Sequence, residues 1–515
     1  MEIVDRQVRQ DIIDASGSIV VSASAGSGKT TIMIDKILKK LSEITDHQTV
    51  GAITFTVKAT EEIRRKAAIK GGNFSFVVMT NDSFVEYEII RPFLRDAFGE
   101  EFTDDFVVCF DSSAKSSSFT NGMNILKGKN KLGTYYNNKN NFKFELAKKI
   151  LVNSQAAREY FKSKYAMLFL DEFQDSDMDM YNFFMYLKNE LEIDLFIVGD
   201  AKQAIYLWRG AQRNIFRLLE DENIQSFELI TNFRSHPEIV NYANLVHNKS
   251  QFNVEYKDEV QRIVHCKTHD ALQSFKNLCE SNVIDKSKGI TIIANINKDA
   301  KEIADGLNEL DFNFIFIPKT PLDDGSENSH VLKAIACFVL DINYSIYDLV
   351  EVLRVEQRRT ILTTIEKLLS PLTDIVNLEP GESKEDIQTQ LFESISNFSD
   401  YLGLNISRTE YQLLLDTLTN GFYYSAFIKA DDLHKVMTVF GSKGLEFKQV
   451  VSFAPYYDFL NEEKKNNHYV CVTRAEDKFI MFEGSSSNYS DEIALCAERM
   501  GILDVNRLYK MIDHT

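Results

Sequence analysis

The chain has 515 residues, of which 44% are hydrophobic and 26% charged, so it is an ordered protein too long for one hydrophobic core. Its net charge of -18 excludes a protein that coats nucleic acid through bulk positive charge, and any DNA site must be a lined groove. The six cysteines form no C-x-x-C pair, which argues against a zinc or iron–sulfur site. The N-terminus lacks a signal pattern and no apolar run is long enough to span a membrane, so we expect a cytoplasmic protein without a membrane segment.

Short apolar runs alternate with helical stretches and form two series. The first series comprises Ile19–Ala23, Ala52–Phe55, Phe76–Met79, Val107–Phe110, Met167–Leu170 and Leu195–Val198. The second comprises Phe227–Ile230, Ile290–Ala294, Phe314–Ile317, Val436–Thr438, Val450–Phe453 and Phe479–Phe482. Such runs predict two parallel α/β domains. The pattern places the first domain at 1–225, with an insertion at roughly 85–160, and the second at 226–320 and 434–515, with a helical insertion at 321–433.

A phosphate-binding loop is predicted where the first apolar run meets a helix. The sequence IVVSASAGSGKTT spans residues 19–31, and its loop residues are Ala23, Ser24, Ala25, Gly26, Ser27, Gly28, Lys29, Thr30 and Thr31. Backbone N–H groups of such a loop bind phosphates, Lys29 adds a positive charge and Thr30 can hold Mg²⁺. Ala23 replaces the first glycine of the usual pattern but is small enough to keep the turn. We therefore expect ATP and Mg²⁺ as cofactors.

The second half of an ATP site should be a carboxylate at the end of a buried strand. The sequence MLFLDEFQD at residues 167–175 supplies two. Asp171 is expected to hold Mg²⁺, and Glu172 to act as the general base that activates water. An exposed acidic turn is the alternative, but acids directly after four apolar residues argue against it.

A basic stretch lies within the first insertion. It contains Lys127, Lys129, Lys131, Lys139, Lys143, Lys148 and Lys149, interleaved with Tyr135, Tyr136, Phe142 and Phe144, and only Glu145 opposes them. Lysines with interleaved aromatic rings suit a groove for single-stranded nucleic acid. A solvated surface excursion explains the pattern equally well.

Seven ordered motifs resemble those of the UvrD, PcrA and Rep family of superfamily 1 helicases. Besides the two above, they are ITFTVKATEEIR at 53–64, IVGDAKQAIYLWRGA at 197–211, LITNFRS at 229–235, TVFGSKGLEF at 438–447 and YVCVTRA at 469–475. The resemblance implies two tandem RecA-like P-loop motor domains with mainly helical insertions. It also implies an ATP-dependent helicase or translocase that moves 3′ to 5′ on single-stranded DNA.

The same resemblance assigns roles around the nucleotide. Gln203 would sense the γ-phosphate, and Arg234 and Arg474, both from the second domain, would be arginine fingers. Phe233 would stack on adenine, Glu446 would meet the ribose or nearby phosphates, and Gln7 would read adenine, with Gln10 as the alternative.

The resemblance also assigns DNA contacts and shows two departures. Tyr206, Trp208 and Arg209 would form a base-stacking segment, Phe55 a second stacking position, and Thr80 and Ser83 phosphate contacts. Asp82 and Phe440 stand where the family has histidines that face DNA. We therefore expect an intact ATPase centre with weakened or remodelled coupling to DNA.

The segment TNDSFVEYEIIRPF at 80–93 narrows the resemblance to the helicase-like subunits of Gabija anti-phage systems. This implies a separate nuclease subunit of the OLD-family and Toprim type as partner. Three readings follow: an autonomous 3′ to 5′ repair helicase, an ATPase that controls a partner nuclease in defence, and a binding module without turnover. The complete set of ATPase residues argues against the last, and the acidic surface favours protein docking and thus the second.

Overall fold

The computed structural model describes residues 3–71, 75–109, 112–222, 224–247, 260–323, 328–353, 355, 357–376, 384–404, 406–427 and 434–515. Within these ranges the chain forms two parallel sheets flanked by helices, which confirms the predicted α/β fold class. None of the described helices is long and apolar enough to cross a membrane.

The elements of the first half alternate between strand and helix. Its strands are β1 (Ile19–Ala23), β2 (Thr49–Thr54), β3 (Val77–Thr80), β4 (Val107–Val108), β5 (Lys131–Leu132), β6 (Tyr165–Leu170), β7 (Asp194–Gly199) and β8 (Gln225–Leu229). Its helices are α1 (Arg6–Asp14), α2 (Lys29–Glu43), α3 (Val57–Gly71), α4 (Asn81–Val85), α5 (Arg91–Phe98), α6 (Phe119–Lys129), α7 (Phe142–Asn153), α8 (Gln155–Lys164), α9 (Met178–Asn189) and α10 (Ile215–Glu220).

The second half continues the pattern around a longer helical stretch. Its strands are β9 (Ile263–Thr268), β10 (Ile290–Ala294), β11 (Phe314–Ile317), β12 (His434–Thr438), β13 (Phe447–Phe453), β14 (Ala475–Glu483) and β15 (Lys510–His514). Its helices are α11 (Pro237–Asn244), α12 (Ala271–Glu280), α13 (Asn297–Glu309), α14 (Ser329–Leu340), α15 (Ile346–Leu353), α16 (Arg359–Val376), α17 (Lys384–Leu402), α18 (Arg408–Leu418), α19 (Val439–Ser442), α20 (Glu462–Val472) and α21 (Tyr489–Glu498).

The first sheet has the strand order β3-β2-β6-β7-β1-β8, with all described pairs parallel. Its central strands are apolar on both faces because helices cover both sides. Helices α4 to α8 and the short β4-β5 pair follow β3, where the sequence predicts an insertion. The run at Val107 is predicted as a strand of the main sheet, and this is wrong: among the described strands it pairs with β5 alone.

The second sheet has the order β11-β12-β10-β13-β14-β9-β15, again parallel. Helices α14 to α18 lie between β11 and β12 and pack around a hydrophobic core of their own. The assignment of Phe227–Ile230 to the second series is wrong, since β8 pairs with β1 at the edge of the first sheet. A short apolar run does not reveal which sheet will receive it.

Candidate active site

The carboxyl ends of the first sheet's strands bring the predicted site residues to one edge. Thr80 and Phe55 lie at β3 and β2, Glu172 follows β6 in the middle, and the phosphate-binding loop follows β1. Ligands of parallel α/β sheets bind at this edge, because the loops after the strands converge there. Tyr206, Trp208 and Arg209 follow β7, which lies between β6 and β1, so the predicted DNA contacts occur on both sides of Glu172 along this edge.

The loop after β1 has the backbone of a phosphate-binding loop. Gly26 and Gly28 have φ values of 71° and 82°, a region that glycine adopts without strain. Helix α2 begins at Lys29, so its N-terminal N–H groups face the loop. The buried hydroxyl of Ser27 has no hydrogen-bond partner among the described residues, and the Lys29 Nζ lies 3.4 Å from the Ala23 carbonyl oxygen. These groups fit a triphosphate, while Thr30 lies in the first turn of α2 and Thr31 is exposed beside it.

Arg9 on helix α1 and Asp5 just before it are two residues to which the sequence motifs assign no role. Arg9 donates to the Ser27 carbonyl oxygen at 2.8 Å, and its guanidinium lies 4.9 Å from the centre of the Phe233 ring. Asp5 pairs with Arg9 and accepts hydrogen bonds from Thr231. The only local signal in the sequence is the spacing of Asp5 and Arg9, an acid and a base four residues apart, which suits a pair on one face of a helix. Helix α1 is thereby tied both to the phosphate loop and to Phe233.

Of the residues predicted to surround adenine, Phe233 contacts the phosphate loop, whereas Gln7 and Gln10 do not. Phe233 is 49% exposed, and its backbone N–H donates to the Gly26 carbonyl oxygen at 2.8 Å. Gln7 is exposed on α1 and donates to Asp11, while Gln10 donates to Asp14. The structure therefore brings Phe233 to the phosphate loop and leaves both glutamines on the outer surface of the helix.

Asp171 and Glu172 are adjacent after β6, but their pKa values are shifted in opposite directions. Burial and the neighbouring Glu172 charge raise the pKa of Asp171. Burial also opposes the charge of Glu172, but Lys29, Lys443 and Arg474 outweigh it and lower its pKa. Glu172 has a φ of 53° and accepts a hydrogen bond from Gln174. Glu172 is therefore held as a carboxylate, as a general base requires.

Lys443 joins the two sheets at the centre of the site. It pairs with Asp175 after β6 and donates to the Gln203 carbonyl oxygen at 3.2 Å. Its Nζ also lies 4.8 Å from the centre of the Tyr206 ring. The side chain of Gln203 donates to Asp200 at 2.8 Å. Lys443 belongs to the TVFGSKGLEF motif, but no role could be assigned to it from the sequence alone.

The two predicted arginine fingers lie close together. Arg234 lies between β8 of the first sheet and α11, and its side chain donates to the Thr473 carbonyl oxygen of the second half at 3.4 Å. It forms an ion pair of 2.7 Å with Glu446. Arg474 precedes β14 of the second sheet and is buried, donating to the carbonyl oxygens of Val470 and Leu445. Burial and repulsion from Arg234 lower the pKa of Arg474 to about 10.

The predicted stacking segment forms a cluster of aromatic rings. Trp208 is 51% exposed, and the Arg209 guanidinium lies 5.4 Å from its ring centre. Phe440 of the second half packs against this segment, with ring centres 5.9 Å from Tyr206 and 6.4 Å from Trp208. Phe440 therefore contributes an apolar contact where the family has a polar one.

The remaining predicted DNA residues are placed at the β2-β3 side of the sheet. Phe55 is half-buried beside the first hydrophobic core. Thr80 caps α4, accepting from the Ser83 N–H at 3.3 Å and donating to the Ser83 hydroxyl at 2.9 Å. Asp82 lies in the same first turn and is half-buried. Thr80 and Ser83 thus already hold each other in place.

Three lysines of the basic stretch are paired with carboxylates. Lys143 is buried in an ion pair with Glu86, and Lys127 and Lys149 pair with Glu101 and Glu145. The backbone at residues 138–139 approaches the stacking segment, where a Cβ on Gly210 would lie 2.8 Å from a carbonyl oxygen. The partners Glu86 and Glu101 come from outside the stretch, so the local sequence could not show them.

Two helicase family models match the chain. The UvrD/REP helicase N-terminal domain matches residues 4–102 and 136–223, and the UvrD-like helicase C-terminal domain matches residues 435–482. These matches are consistent with tandem RecA-like motor domains.

Three relatives define the closer similarity. The Gabija protein GajB of Bacillus cereus (strain VD045) is 39% identical over 503 residues, covering 96% of this chain and 99% of that protein. The ATP-dependent DNA helicase Rep of Buchnera aphidicola subsp. Schizaphis graminum is 25% identical over 48% of this chain and 46% of its own length. The ATP-dependent DNA helicase PcrA of Staphylococcus epidermidis is 26% identical over 289 residues, 46% of this chain and 39% of that protein. The chain belongs to the UvrD-like superfamily 1 helicases, is a homologue of GajB, and is an ATP-dependent DNA helicase.

Proposed function

We propose that the protein is a Mg²⁺- and ATP-driven motor that moves 3′ to 5′ on single-stranded DNA in the cytoplasm and controls a separate nuclease in anti-phage defence. The observation that carries the motor proposal is the position of Lys443. One side chain contacts Asp175 near the catalytic carboxylates, the backbone of Gln203 and the ring of Tyr206. A change at the nucleotide can thereby reach a residue of the DNA-stacking segment through a single ammonium group.

The residues at the nucleotide divide the chemistry among them. Thr30 and Asp171 would hold Mg²⁺, which supplies charge neutralisation while ATP supplies the bond that is hydrolysed. Glu172 orients water and accepts its proton, and the lowered pKa of this group keeps it ready to do so. Gln203 senses the γ-phosphate position, and Arg234 and Arg474 neutralise developing charge. Because Arg234 is paired with Glu446, it must exchange that carboxylate for phosphate.

The adenine and ribose contacts are proposed from the same arrangement. Phe233 offers an exposed ring beside the phosphate loop, and Arg9 already lies over that ring. Glu446, which is paired with Arg234, is proposed to meet the ribose or nearby phosphates. Gln7 or Gln10 would have to turn from its present hydrogen bond to reach the base.

The DNA track is proposed to run from the aromatic segment to the β2-β3 edge. Trp208 and Tyr206 provide ring faces for bases, and Arg209 provides a cation for the strand. Phe55, Thr80 and Ser83 would continue the track at the ends of β2 and β3. Because Asp82 and Phe440 lack the expected histidine groups, the isolated protein should bind DNA weakly and with strong dependence on salt.

The defence role rests on similarity along nearly the whole chain to a Gabija protein. The net charge of -18 supports a partner of opposite charge, because most of the surface repels duplex DNA. We propose a nuclease of the OLD-family and Toprim type as that partner. Similarity to Rep over about half the chain favours an autonomous repair helicase as the second candidate.

Displacement of streptavidin from biotinylated oligonucleotides tests the direction of movement on DNA. Unwinding of a duplex tests whether the protein acts without a partner. A 3′ to 5′ motor should strip streptavidin from a 5′-biotinylated oligonucleotide and leave a 3′-biotinylated one occupied. Glu172→Gln should abolish the displacement, whereas Glu190→Gln, an exposed residue at the end of α9, should retain it. Displacement from the 3′ end alone would reverse the polarity. Robust unwinding of a 3′-tailed duplex without any partner would favour the repair helicase over the partner-dependent role.

A further inference from the structure

Phe440 connects two parts of the chain that are far apart in sequence. It lies on α19, directly after β12 of the second sheet, and Thr438 caps that helix by accepting from the Gly441 N–H at 3.2 Å. Trp208 and Tyr206 follow β7 of the first sheet. The aromatic cluster of Tyr206, Trp208 and Phe440 therefore spans the cleft between the two sheets.

The geometry of this cluster suits packing of Phe440 against Tyr206 and Trp208 rather than binding of the DNA strand by Phe440 itself. The Phe440 ring meets Trp208 edge-on, at 89° and 6.4 Å, and meets Tyr206 at a 40° tilt. A phenyl ring offers no hydrogen-bond donor to a phosphate, unlike a histidine. Trp208 nevertheless keeps half of its surface exposed for a base.

Arg209 and Lys443 place cations beside the rings of Tyr206 and Trp208. Arg209 lies 5.9 Å from the Tyr206 ring centre as well as 5.4 Å from that of Trp208. Lys443, three residues after Phe440, lies over Tyr206 while bound to Asp175. Movement of the segment 440–443 would therefore change two contacts at the same time. One is the contact of Lys443 with Asp175 near the catalytic carboxylates, and the other is the contact of Phe440 with Trp208.

We propose that Phe440 is a positioning residue that transmits nucleotide-driven movement of the second sheet to the stacking face of Trp208. Closure around the nucleotide moves Phe440 relative to Trp208, and the indole turns or becomes more exposed. The affinity of the strand site therefore changes with nucleotide state. This linkage deepens the DNA track proposed above and rests on it.

Fluorescence of Trp208 reports this linkage directly, because it is the only tryptophan in the sequence. Addition of a non-hydrolysable ATP analogue with Mg²⁺, without DNA, should change the emission of the unmodified protein. In Phe440→Ala most of that change should disappear at analogue concentrations shown by calorimetry to saturate the variant. Phe392→Ala, which removes an exposed ring on α17, should keep the full change. Retention of the full change in Phe440→Ala would overturn the proposal.

A second variant covers the case in which Phe440→Ala folds poorly. Phe440→His places an imidazole beside the indole, and a protonated imidazole quenches indole emission. Between about pH 8 and pH 5.5 the variant should lose emission relative to the unmodified protein. Equal pH dependence of the two proteins would show that residue 440 does not contact Trp208 in solution, and would overturn the proposal.

The last arm adds a dT oligomer of about 16 nucleotides. Its affinity for the unmodified protein should differ at least about fivefold between the nucleotide-free and analogue-bound states, and less than about twofold in Phe440→Ala. An equal nucleotide effect in both proteins would contradict the linkage. Failure of the unmodified protein to bind the oligomer in either state would overturn the DNA track, and the DNA-free fluorescence would still decide the contact between Phe440 and Trp208.

Discussion

At the scale of single residues, the two carboxylates after β6 differ in the direction of their pKa shifts. Burial is the largest influence on the pKa of both groups, but the cations Lys29, Lys443 and Arg474 together lower the pKa of Glu172, whereas the Glu172 charge adds to burial and raises the pKa of Asp171. The sequence predicted both roles because the acids follow an apolar strand in a chain with a phosphate loop. It did not predict the roles of Arg9, Asp5 or Lys443, because their contacts with Ser27, Thr231 and Asp175 join residues 18, 226 and 268 positions apart. Such distant pairings are decided by the fold.

Glu172→Gln should abolish ATP hydrolysis and leave nucleotide binding largely intact. The amide keeps the shape of the carboxylate but cannot accept a proton from water. Lys29→Ala should lose binding as well, because it removes a charge from the phosphate loop. Phosphate release and binding of a fluorescent ATP analogue measure the two effects. More than trace turnover in Glu172→Gln would assign the base to another residue.

Arg474→Lys should slow hydrolysis by about 10³-fold, with a smaller effect on ATP affinity. A lysine keeps the positive charge in the buried position but cannot donate to Val470, Leu445 and phosphate together. Arg499→Lys, on the turn after α21, is the matched control. Loss of binding as large as the loss of rate would contradict a role confined to the transition state.

At the scale of elements, the strands that the sequence missed share a physical cause. β9 contains the buried His265, whose imidazole bonds Tyr242 and Ser490, so its apolar pattern is interrupted. β15 is an edge strand with exposed lysine and methionine and lacks a two-sided apolar run. By contrast, β1, β6 and β10 are apolar and buried along nearly their whole length, and local sequence predicted them. Sequence therefore identifies strands with an uninterrupted apolar run, including the edge strands β3, β8 and β11, and misses strands that lack one, including the internal strand β9.

A buried hydrogen-bond network fixes α20, the helix that ends just before Arg474. The Tyr489 hydroxyl lies 2.6 Å from the Tyr242 hydroxyl and 2.7 Å from the His468 Nε2. Burial lowers the pKa of His468 to about 3, so its imidazole is neutral. Tyr489→Phe removes the partner of the His468 Nε2 and one of two partners of the Tyr242 hydroxyl, which keeps His265, and should lower the free energy of unfolding by about 1 to 3 kcal/mol. Thermal and denaturant unfolding measure the loss, and the exposed Tyr347→Phe should show none.

At the scale of the whole molecule, the two halves of the chain meet through specific side chains. Lys443 and Phe440 reach the first sheet from the second, and the Thr409 hydroxyl of the helical insertion donates to the Val108 carbonyl oxygen at 2.9 Å. The sequence predicted the two units and their insertions because each has its own apolar pattern. It could not predict these contacts, since they depend on how the units pack.

The central claim is that ATP hydrolysis is coupled to a single-stranded DNA track at Trp208. Steady-state ATPase activity measured with and without a dT oligonucleotide tests it most directly. The unmodified protein should be stimulated by the oligonucleotide, and Trp208→Ala should lose most of that stimulation because a stacking face is removed. Tyr347→Ala, which removes an exposed ring on α15, should keep it. Equal stimulation of Trp208→Ala and the unmodified protein, or none in either, would contradict the account.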